Sequence, residues 1–163
     1  MGSVGVPFPL TPGLDTAWGY TPSHENMAKL IALFAYNQAL LTNDLVAVRY
    51  QASLRPGVQD AFGAMFPAPR QRWIDAMANS EGTVRAIPHH ALIVHGRDDR
   101  IVPLVTSLTL SHWIERSQLH VFGQCGHWTQ IEKAKQFSEL VCDFLAEAQA
   151  DEPHELNRTQ NRS

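Results

Sequence analysis

The chain contains the run His90-Ala91-Leu92-Ile93-Val94-His95, a nearly continuous apolar stretch that follows Ile87-Pro88. Such a run is typical of a central parallel strand that is buried on both faces. Val102-Pro103 then opens a predicted helix, and Leu119-His120-Val121-Phe122 predicts a second short strand. A strand, a helix and a parallel strand in this order form a βαβ unit, so the sequence predicts an α/β fold.

A helical pattern follows the second predicted strand. Large apolar residues recur at helical spacing between Ile131 and Leu145. We therefore expect one long amphipathic helix from Gln130 to about Glu147, packed on the sheet.

The part of the chain before the strands is predicted to be helical from Pro22 to about Met77. Ser23 and Thr42 have the residue types that cap helix N-termini, and each precedes a segment with an apolar face. Pro56 starts a third segment, and Pro67 and Pro69 precede a fourth. Four short helices of this kind would form a lid over the core.

The sequence divides into four predicted regions. Residues 1–13 are rich in Gly and Pro. We expect them to be the end of a core strand and its loop, with the N-terminal part of the strand truncated. Residues 14–86 form the helical lid, and residues 87–147 form the C-terminal part of the core. Residues 148–163 are polar and predicted to be a disordered tail, because they have too little apolar surface to bury.

Composition excludes several classes of function. The 163 residues carry a net charge of -3, and the basic residues are scattered, so we expect no nucleic-acid partner. The apolar stretches are too short to cross a membrane, and the chain does not start like a signal peptide, so a cytoplasmic location is expected. The two cysteines are then expected to be reduced. The histidines lack the spacing of zinc ligands, and we expect no metal and no cofactor.

Two polar residues follow the two predicted strands. Asp99 lies in the loop after the first strand, and His127 lies in the glycine-flanked loop after the second. Because functional groups of open α/β sheets gather at the carboxyl ends of the strands, both side chains can face one crevice. In a catalytic triad, the carboxylate orients the imidazole, and the imidazole removes a proton from serine. The sequence therefore predicts the acid and the base of a Ser-His-Asp triad.

Each of these residues also has a plainer interpretation. Asp98 and Asp99 suit a solvated turn with a capping role ahead of the helix near Pro103, and a single histidine suits a surface or core position. The layout H-G-x-x-D-x-x-V-P followed by Gly126-His127 one βα unit later favours the triad, with Asp99 rather than Asp98 as the acid.

The serine of such a triad is missing from the pattern. No stretch of the sequence fits G-x-S-x-G, the strand-to-helix turn that presents a nucleophilic serine. Gly2-Ser3-Val4-Gly5 comes nearest, but it has no strand before it and is better interpreted as an ordinary turn. Cys125 precedes His127 by two residues, and we interpret it as a small packing residue.

The chain resembles the C-terminal part of the meta-cleavage product hydrolases, which are α/β-hydrolases that cut carbon-carbon bonds in bacterial aromatic degradation. The likeness covers residues 1 to about 147, and its motifs lie at residues 2–8, 55–57, 66–73, 95–100 and 120–128. The resemblance implies the C-terminal part of an α/β-hydrolase fold, with a helical lid and the last parallel strands and helices.

The resemblance also implies a substrate and site residues. The substrate would be a small dienol carboxylate with a ketone or aldehyde group, which is ketonised and then attacked at its carbonyl. His127 would be the general base and acid, Asp99 would orient it, and Trp128 would form a wall of the pocket. Arg49 would bind the anionic end of the substrate, since its guanidinium can donate two hydrogen bonds to a carboxylate. Arg49 can equally be a solvated helix position.

The family's nucleophile and its oxyanion-hole loop would lie upstream of Met1. Without the hole, the tetrahedral intermediate loses roughly 3 to 4 kcal/mol per donor. We therefore expect the isolated chain to be inactive unless a complementing N-terminal part is supplied. Its open sheet edge would favour a homo-oligomer or pairing with such a part. Two alternatives remain open, namely a non-catalytic binding or assembly module and an esterase or dehalogenase of the same fold.

Overall fold

The computed structural model describes residues 4–150, with described side chains up to Ala148. Two strands and nine α-helices lie in this range, together with a single 3-10 turn over Gln38–Leu40. The elements are α1 (Pro12–Trp18), α2 (His24–Phe34), α3 (Asn43–Ser53), α4 (Val58–Met65), α5 (Gln71–Met77), α6 (Glu81–Arg85), β1 (Ala91–Gly96), α7 (Val105–Trp113), β2 (Ser117–Phe122), α8 (Thr129–Glu132) and α9 (Ala134–Ala150).

The two strands are parallel and paired in register from Ala91 opposite Ser117 to Gly96 opposite Phe122. With α7 between them, they form the predicted βαβ unit. The buried half of β1 is its carboxyl end, from Ile93 to Gly96. The α/β fold class is therefore confirmed.

The predicted caps of the second and third helices are present. The Ser23 hydroxyl accepts a hydrogen bond from the backbone N–H of Asn26, and the Thr42 hydroxyl accepts one from that of Leu45. These bonds satisfy donors that a helix N-terminus leaves free. The third predicted lid segment starts at Val58 rather than Pro56, because Gly57 adopts the left-handed region with φ 78° just before α4.

Residues 12–85 contain two helices more than the four predicted. In α1, Pro12 occupies the first turn and the Thr11 hydroxyl caps the N–H of Leu14, so Pro and Gly are compatible with a helix there. The expected strand end in residues 1–13 is not seen among residues 4–13, and α1 begins at Pro12 instead. The second additional helix is the five-residue α6, which Ser80 caps.

The predicted long helix is broken near its start. α8 ends at Glu132 and α9 begins at Ala134, because the Lys133 backbone leaves the helical region with φ -124° and ψ 34°. Lys133 is neither Gly nor Pro, so the sequence contains no signal for this break. α9 runs to Ala150, three residues past the predicted boundary at 147. The rest of the predicted tail, residues 151–163, lies outside the described residues.

Separate apolar clusters join the helical segment to the loops that follow the strands. One cluster connects α2 and α3 with Trp128, and it consists of Tyr20, Met27, Ile31, Ala35, Val46 and Trp128. Another connects α1 and α5 with the segment after Asp99, and it consists of Phe8, Leu14, Ile74, Ile101 and Val102. The lid therefore packs directly on the two loops that carry the predicted site residues.

Candidate active site

Asp99 and His127 lie side by side at the carboxyl ends of β1 and β2. The Nδ1 atom of His127 is 2.8 Å from Oδ2 of Asp99. The other carboxylate oxygen accepts hydrogen bonds from the backbone N–H groups of Ile101, at 2.7 Å, and Val102, at 3.0 Å. With its oxygens held in this way, the carboxylate fixes Nδ1–H as the protonated position of a neutral His127 ring. Nε2 is then the basic nitrogen.

The two side chains differ in exposure. The Asp99 side chain is 2% exposed, whereas the His127 side chain is 25% exposed. A buried carboxylate that orients a more accessible imidazole is an arrangement suited to general acid-base chemistry.

The loop after β1 and the loop that carries His127 are joined through their backbones. The N–H of Arg97 donates to the carbonyl of Phe122, and the N–H of Asp98 donates to that of Cys125. A Cβ atom at Gly96 would collide with the carbonyl of Gly126, so only glycine permits this approach. The short distance between Asp99 and His127 therefore rests on the fold of both loops.

Asp98 has a different role from Asp99. Its Oδ2 accepts a hydrogen bond from the N–H of Cys125 at 3.3 Å, and it lies 3.6 Å from the guanidinium of Arg97. It supports the loop and does not contact His127.

His95, which lies in the predicted strand and opens the H-G-x-x-D motif, is a buried polar residue. It is fully buried, its Nδ1 lies 2.7 Å from the hydroxyl of Ser107, and its Nε2 lies 3.0 Å from the carbonyl of Val102. Burial lowers the pKa of His95, and the nearby Asp99 carboxylate only partly opposes this. The ring is therefore neutral, with Nε2 donating to Val102 and Nδ1 accepting from Ser107. In the sequence, a histidine within an otherwise apolar strand was the signal for a buried and hydrogen-bonded side chain.

Phe34, at the end of α2, contacts both residues of the His-Trp pair. Its ring lies 5.4 Å from that of His127 and 5.3 Å from that of Trp128, measured between centroids. Its carbonyl also accepts a hydrogen bond from the N–H of His127 at 2.7 Å. The sequence showed Phe34 only as one residue of an apolar helix face, with no signal for these contacts.

Arg49 and Trp128 meet at one pocket of about 300 Å³ between the lid and the His127 loop. Trp128 is buried, and the guanidinium carbon of the exposed Arg49 lies 4.8 Å from the centroid of its indole ring. The pocket is otherwise lined by apolar side chains, which are Met27, Leu30, Ile31, Phe34, Val48 and Ala52. The structure thus combines an apolar wall with a cation at its edge.

Cys125 lies next to the site, but its thiol is a weak nucleophile. Burial raises the pKa of its thiol to about 11, with the Glu132 carboxylate as a second cause. A protonated thiol is a poor nucleophile, which supports the packing interpretation. Both cysteines are unpaired, Cys125 buried and Cys142 exposed.

Residues 4–150 show neither a metal site nor a membrane-spanning helix. Within this range no group of three or more His, Cys, Asp or Glu side chains is arranged to hold a metal ion. No helix there has the length and apolar character needed to span a membrane. Ser3 lies outside the described residues.

A model of the alpha/beta hydrolase fold family matches residues 16–134, a range that includes Asp99 and His127. The chain belongs to the α/β-hydrolase family. Its fold class, predicted as the C-terminal part of an α/β-hydrolase with a lid, agrees with this match.

Within the α/β-hydrolases, the chain is similar to meta-cleavage product hydrolases. It is 60% identical over 150 residues to 2-hydroxymuconate semialdehyde hydrolase of Pseudomonas sp. strain CF600, a match over 92% of this chain and 53% of the relative. It is 60% identical over 146 residues to 2-hydroxy-6-oxo-2,4-heptadienoate hydrolase of Pseudomonas putida, covering 90% of this chain and 53% of the relative. The chain thus spans about half the length of the curated relatives it matches.

A solved structure shows the same likeness in three dimensions. A variant of the meta-cleavage product hydrolase CumD superposes with a TM-score of 0.89 at 54% identity, over 91% of this α/β-hydrolase chain and 55% of that chain. The predicted resemblance to meta-cleavage product hydrolases is confirmed.

Proposed function

We propose that this chain carries the acid-base half and the lid of a serine-type hydrolase that cleaves a carbon-carbon bond in meta-cleavage products. The observation that carries the proposal is the 2.8 Å contact between His127 Nδ1 and Asp99 Oδ2 beside a pocket that has Arg49 at its edge. The names of the relatives that share 60% identity favour dienoate semialdehydes and ketones as substrates.

In this proposal His127 works through Nε2. The substrate dienol is first ketonised, and Nε2 then takes the proton from a serine hydroxyl while the serine oxygen adds to the substrate carbonyl. When the carbon-carbon bond breaks, its electron pair leaves with the dienoate carbon, and Nε2–H supplies the proton that this carbon takes up. Water then attacks the acyl-serine while Nε2 takes its proton, and collapse of that intermediate releases the carboxylic acid and returns the proton to the serine oxygen. Asp99 stabilises the imidazolium in between but keeps its own negative charge.

Arg49 and Trp128 would hold the substrate. The guanidinium carbon lies over the indole ring, 4.8 Å from its centroid, so the N–H groups of Arg49 would be available to an anion at the mouth of the pocket. A carboxylate accepts two parallel hydrogen bonds from such a fork. The apolar lining between Met27 and Trp128 suits the planar, uncharged part of a conjugated dienoate.

The nucleophile is the missing component. The 163 residues contain no G-x-S-x-G turn, so the chain alone is expected to bind a dienoate without hydrolysing it. Turnover would require the serine and the oxyanion-hole donors from an N-terminal part. We also propose that the chain pairs with such a part or associates with itself, and that it is located in the cytoplasm.

Calorimetric titration of the chain with 2-hydroxymuconate, a dienol that carries two carboxylates, tests the binding half of the proposal. We expect binding that falls about tenfold or more in Arg49→Ala, since a hydrogen bond to a charged group is lost. The control is Arg55→Ala, which removes an exposed arginine of the lid outside the pocket. Equal binding by Arg49→Ala and the parent chain would contradict the assignment of Arg49.

The esterase alternative is separated by the same variants. An esterase pocket binds neutral acyl groups, so affinity for the uncharged ester phenyl acetate would exceed that for 2-hydroxymuconate and would not depend on Arg49. The proposed hydrolase shows the opposite order.

A further inference from the structure

Glu132 connects two segments of the chain that are far apart in sequence. It is the last residue of α8, and its Oε1 accepts a hydrogen bond from the backbone N–H of Gly126 at 2.7 Å. Its Oε2 accepts one from the backbone N–H of Asn37 at 2.8 Å. One carboxylate therefore binds the His127 loop with one oxygen and the chain just after α2 with the other.

These two segments are also in direct contact. The N–H of His127 donates to the carbonyl of Phe34 at 2.7 Å, and a Cβ at Gly126 would collide with that same carbonyl. The segment from Phe34 to Asn37 is where α2 ends, and the segment from Gly126 to Trp128 carries the proposed base and the pocket wall. Glu132 thus closes a junction between the lid and the base.

A carboxylate suits this junction for a chemical reason. Both partners are N–H donors, and an ionised carboxylate only accepts hydrogen bonds. Bonds from N–H groups to a charged acceptor are also stronger than those to a neutral one. An amide at the same position presents one oxygen and one NH₂ group, so it accepts from one segment and opposes the other donor.

We infer that Glu132 is a positioning residue, which holds the Gly126-His127 backbone against the end of α2 and so keeps the His127 ring on Asp99. Glu132 does not contact Asp99, the His127 ring or the pocket, and it acts through the backbone of the loop. The inference rests on the proposed function for the meaning of His127 as a base, but the contacts themselves do not depend on it.

The test compares the chain with Glu132→Gln by NMR and amide hydrogen exchange, with no substrate present. We expect exchange at Gly126 or Asn37 to accelerate about tenfold or more, because one hydrogen bond to a charged group is lost. We also expect the His127 Nδ1–H signal to broaden or disappear. The matched control is Glu139→Gln, an exposed position on α9 where the carboxylate faces only Lys135, and this variant should leave both signals unchanged.

Two results obtained with a folded Glu132→Gln variant would overturn the inference. One is a Glu132→Gln variant with unaltered exchange at Gly126 and Asn37. The other is a variant with a lower melting temperature but an unaltered His127 Nδ1–H signal, since this would show a purely structural role.

If Glu132→Gln does not fold, Glu132→Asp replaces it, because the shorter side chain reaches one segment but not both. The same readouts apply, and failure of both variants to fold also assigns Glu132 a purely structural role. None of these readouts involves catalysis, so their failure is distinguishable from failure of the hydrolase proposal, which ligand binding and turnover test.

Discussion

The imidazole Nδ1 of His127 lies 2.8 Å from the Oδ2 atom of Asp99, although 28 positions separate the two residues in the chain. The Asp99 carboxylate is almost fully buried and also accepts two backbone hydrogen bonds. The position of the Asp99 carboxylate and its negative charge together hold the His127 ring in one orientation. In the proposed function, this arrangement leaves Nε2 of His127 as the nitrogen that accepts a proton.

Asp99→Asn is expected to abolish the function of His127 with little change in fold. The amide oxygen can still accept from Ile101 and Val102, but the NH₂ group would face Nδ1 and force the proton onto Nε2. In a complemented, active enzyme we expect kcat to fall by about 10⁴, the loss that the wrong tautomer causes in a serine triad.

The control for this experiment is Asp98→Asn. Asp98 contacts the N–H of Cys125 and not His127, so its variant should keep most of the activity. Equal losses in the two variants would contradict the assignment of Asp99. The tautomer itself can be observed by nitrogen NMR of His127 in the chain alone.

Phe34→Ala is expected to loosen the His-Trp pair. The ring contacts both His127 and Trp128 and is half-buried, so the free energy of unfolding should fall by about 2 kcal/mol, less than for a fully buried phenylalanine. Urea denaturation measures this loss. Binding of 2-hydroxymuconate should weaken as well, because Phe34 lines the pocket.

Phe137→Ala is the matched control for Phe34. Phe137 is half-buried in a different cluster, with Val94, Phe122 and Cys125, away from the pocket. It should lower stability by a similar amount and leave ligand affinity unchanged. A loss of affinity in both variants would mean that reduced stability, and not the Phe34 ring, explains the effect.

Gly126→Ala is expected to destabilise the junction between the lid and the His127 loop. The new methyl group would collide with the carbonyl of Phe34 and lie 2.9 Å from the backbone nitrogen of Tyr36, so the backbone must shift. Overpacking of this kind costs about 1 to 3 kcal/mol. The comparison is Gly63→Ala inside α4, where nothing lies within 4 Å and helix propensity should add about 0.5 to 1 kcal/mol. Thermal denaturation should therefore shift in opposite directions for the two variants.

The buried His95 predicts a pH dependence of stability. Its pKa is lowered in the folded chain, mainly by burial, from an ordinary value of 6.5. As the pH falls through 6.5, the unfolded chain takes up a proton that the folded chain does not, so the free energy of unfolding decreases by up to about 1.4 kcal/mol per pH unit. The stabilising effect of neutral His95 is fully present above pH 6.5.

His95→Gln tests this assignment by urea denaturation across the same pH range. The variant should be less stable at neutral pH, since the bonds to Ser107 and Val102 are altered, and it should lose part of the slope with pH. His112→Gln, at an exposed position on α7, should keep the slope of the parent chain. An unchanged slope in His95→Gln would assign the pH dependence to other groups.

Local signals made much of the fold predictable from the sequence. Ser23 and Thr42 act through hydrogen bonds three residues away, so their capping roles follow from residue type and position. The pairing of β1 with β2 follows from two apolar runs separated by one helix. The close approach of Asp99 and His127 was predictable because the carboxyl ends of adjacent parallel strands necessarily lie close together.

The remaining features depend on contacts between segments that are distant in sequence. Phe34 reaches His127, and Glu132 reaches Asn37, only because the lid folds back onto the loop after β2. Lys133 interrupts the last helix without any helix-breaking residue nearby. His95 did carry a signal, a polar residue in an apolar strand, but its partners at Ser107 and Val102 required the three-dimensional structure.

The most direct test of the account is turnover of 2-hydroxymuconate semialdehyde, followed by the loss of its colour. The chain is measured alone and after co-expression with the part of the Pseudomonas sp. strain CF600 relative that it does not match. We predict no bleaching by the chain alone, and bleaching by the complemented protein that His127→Ala reduces at least about 100-fold. Bleaching by the chain alone, or by a complemented His127→Ala protein at the parent rate, would contradict the account.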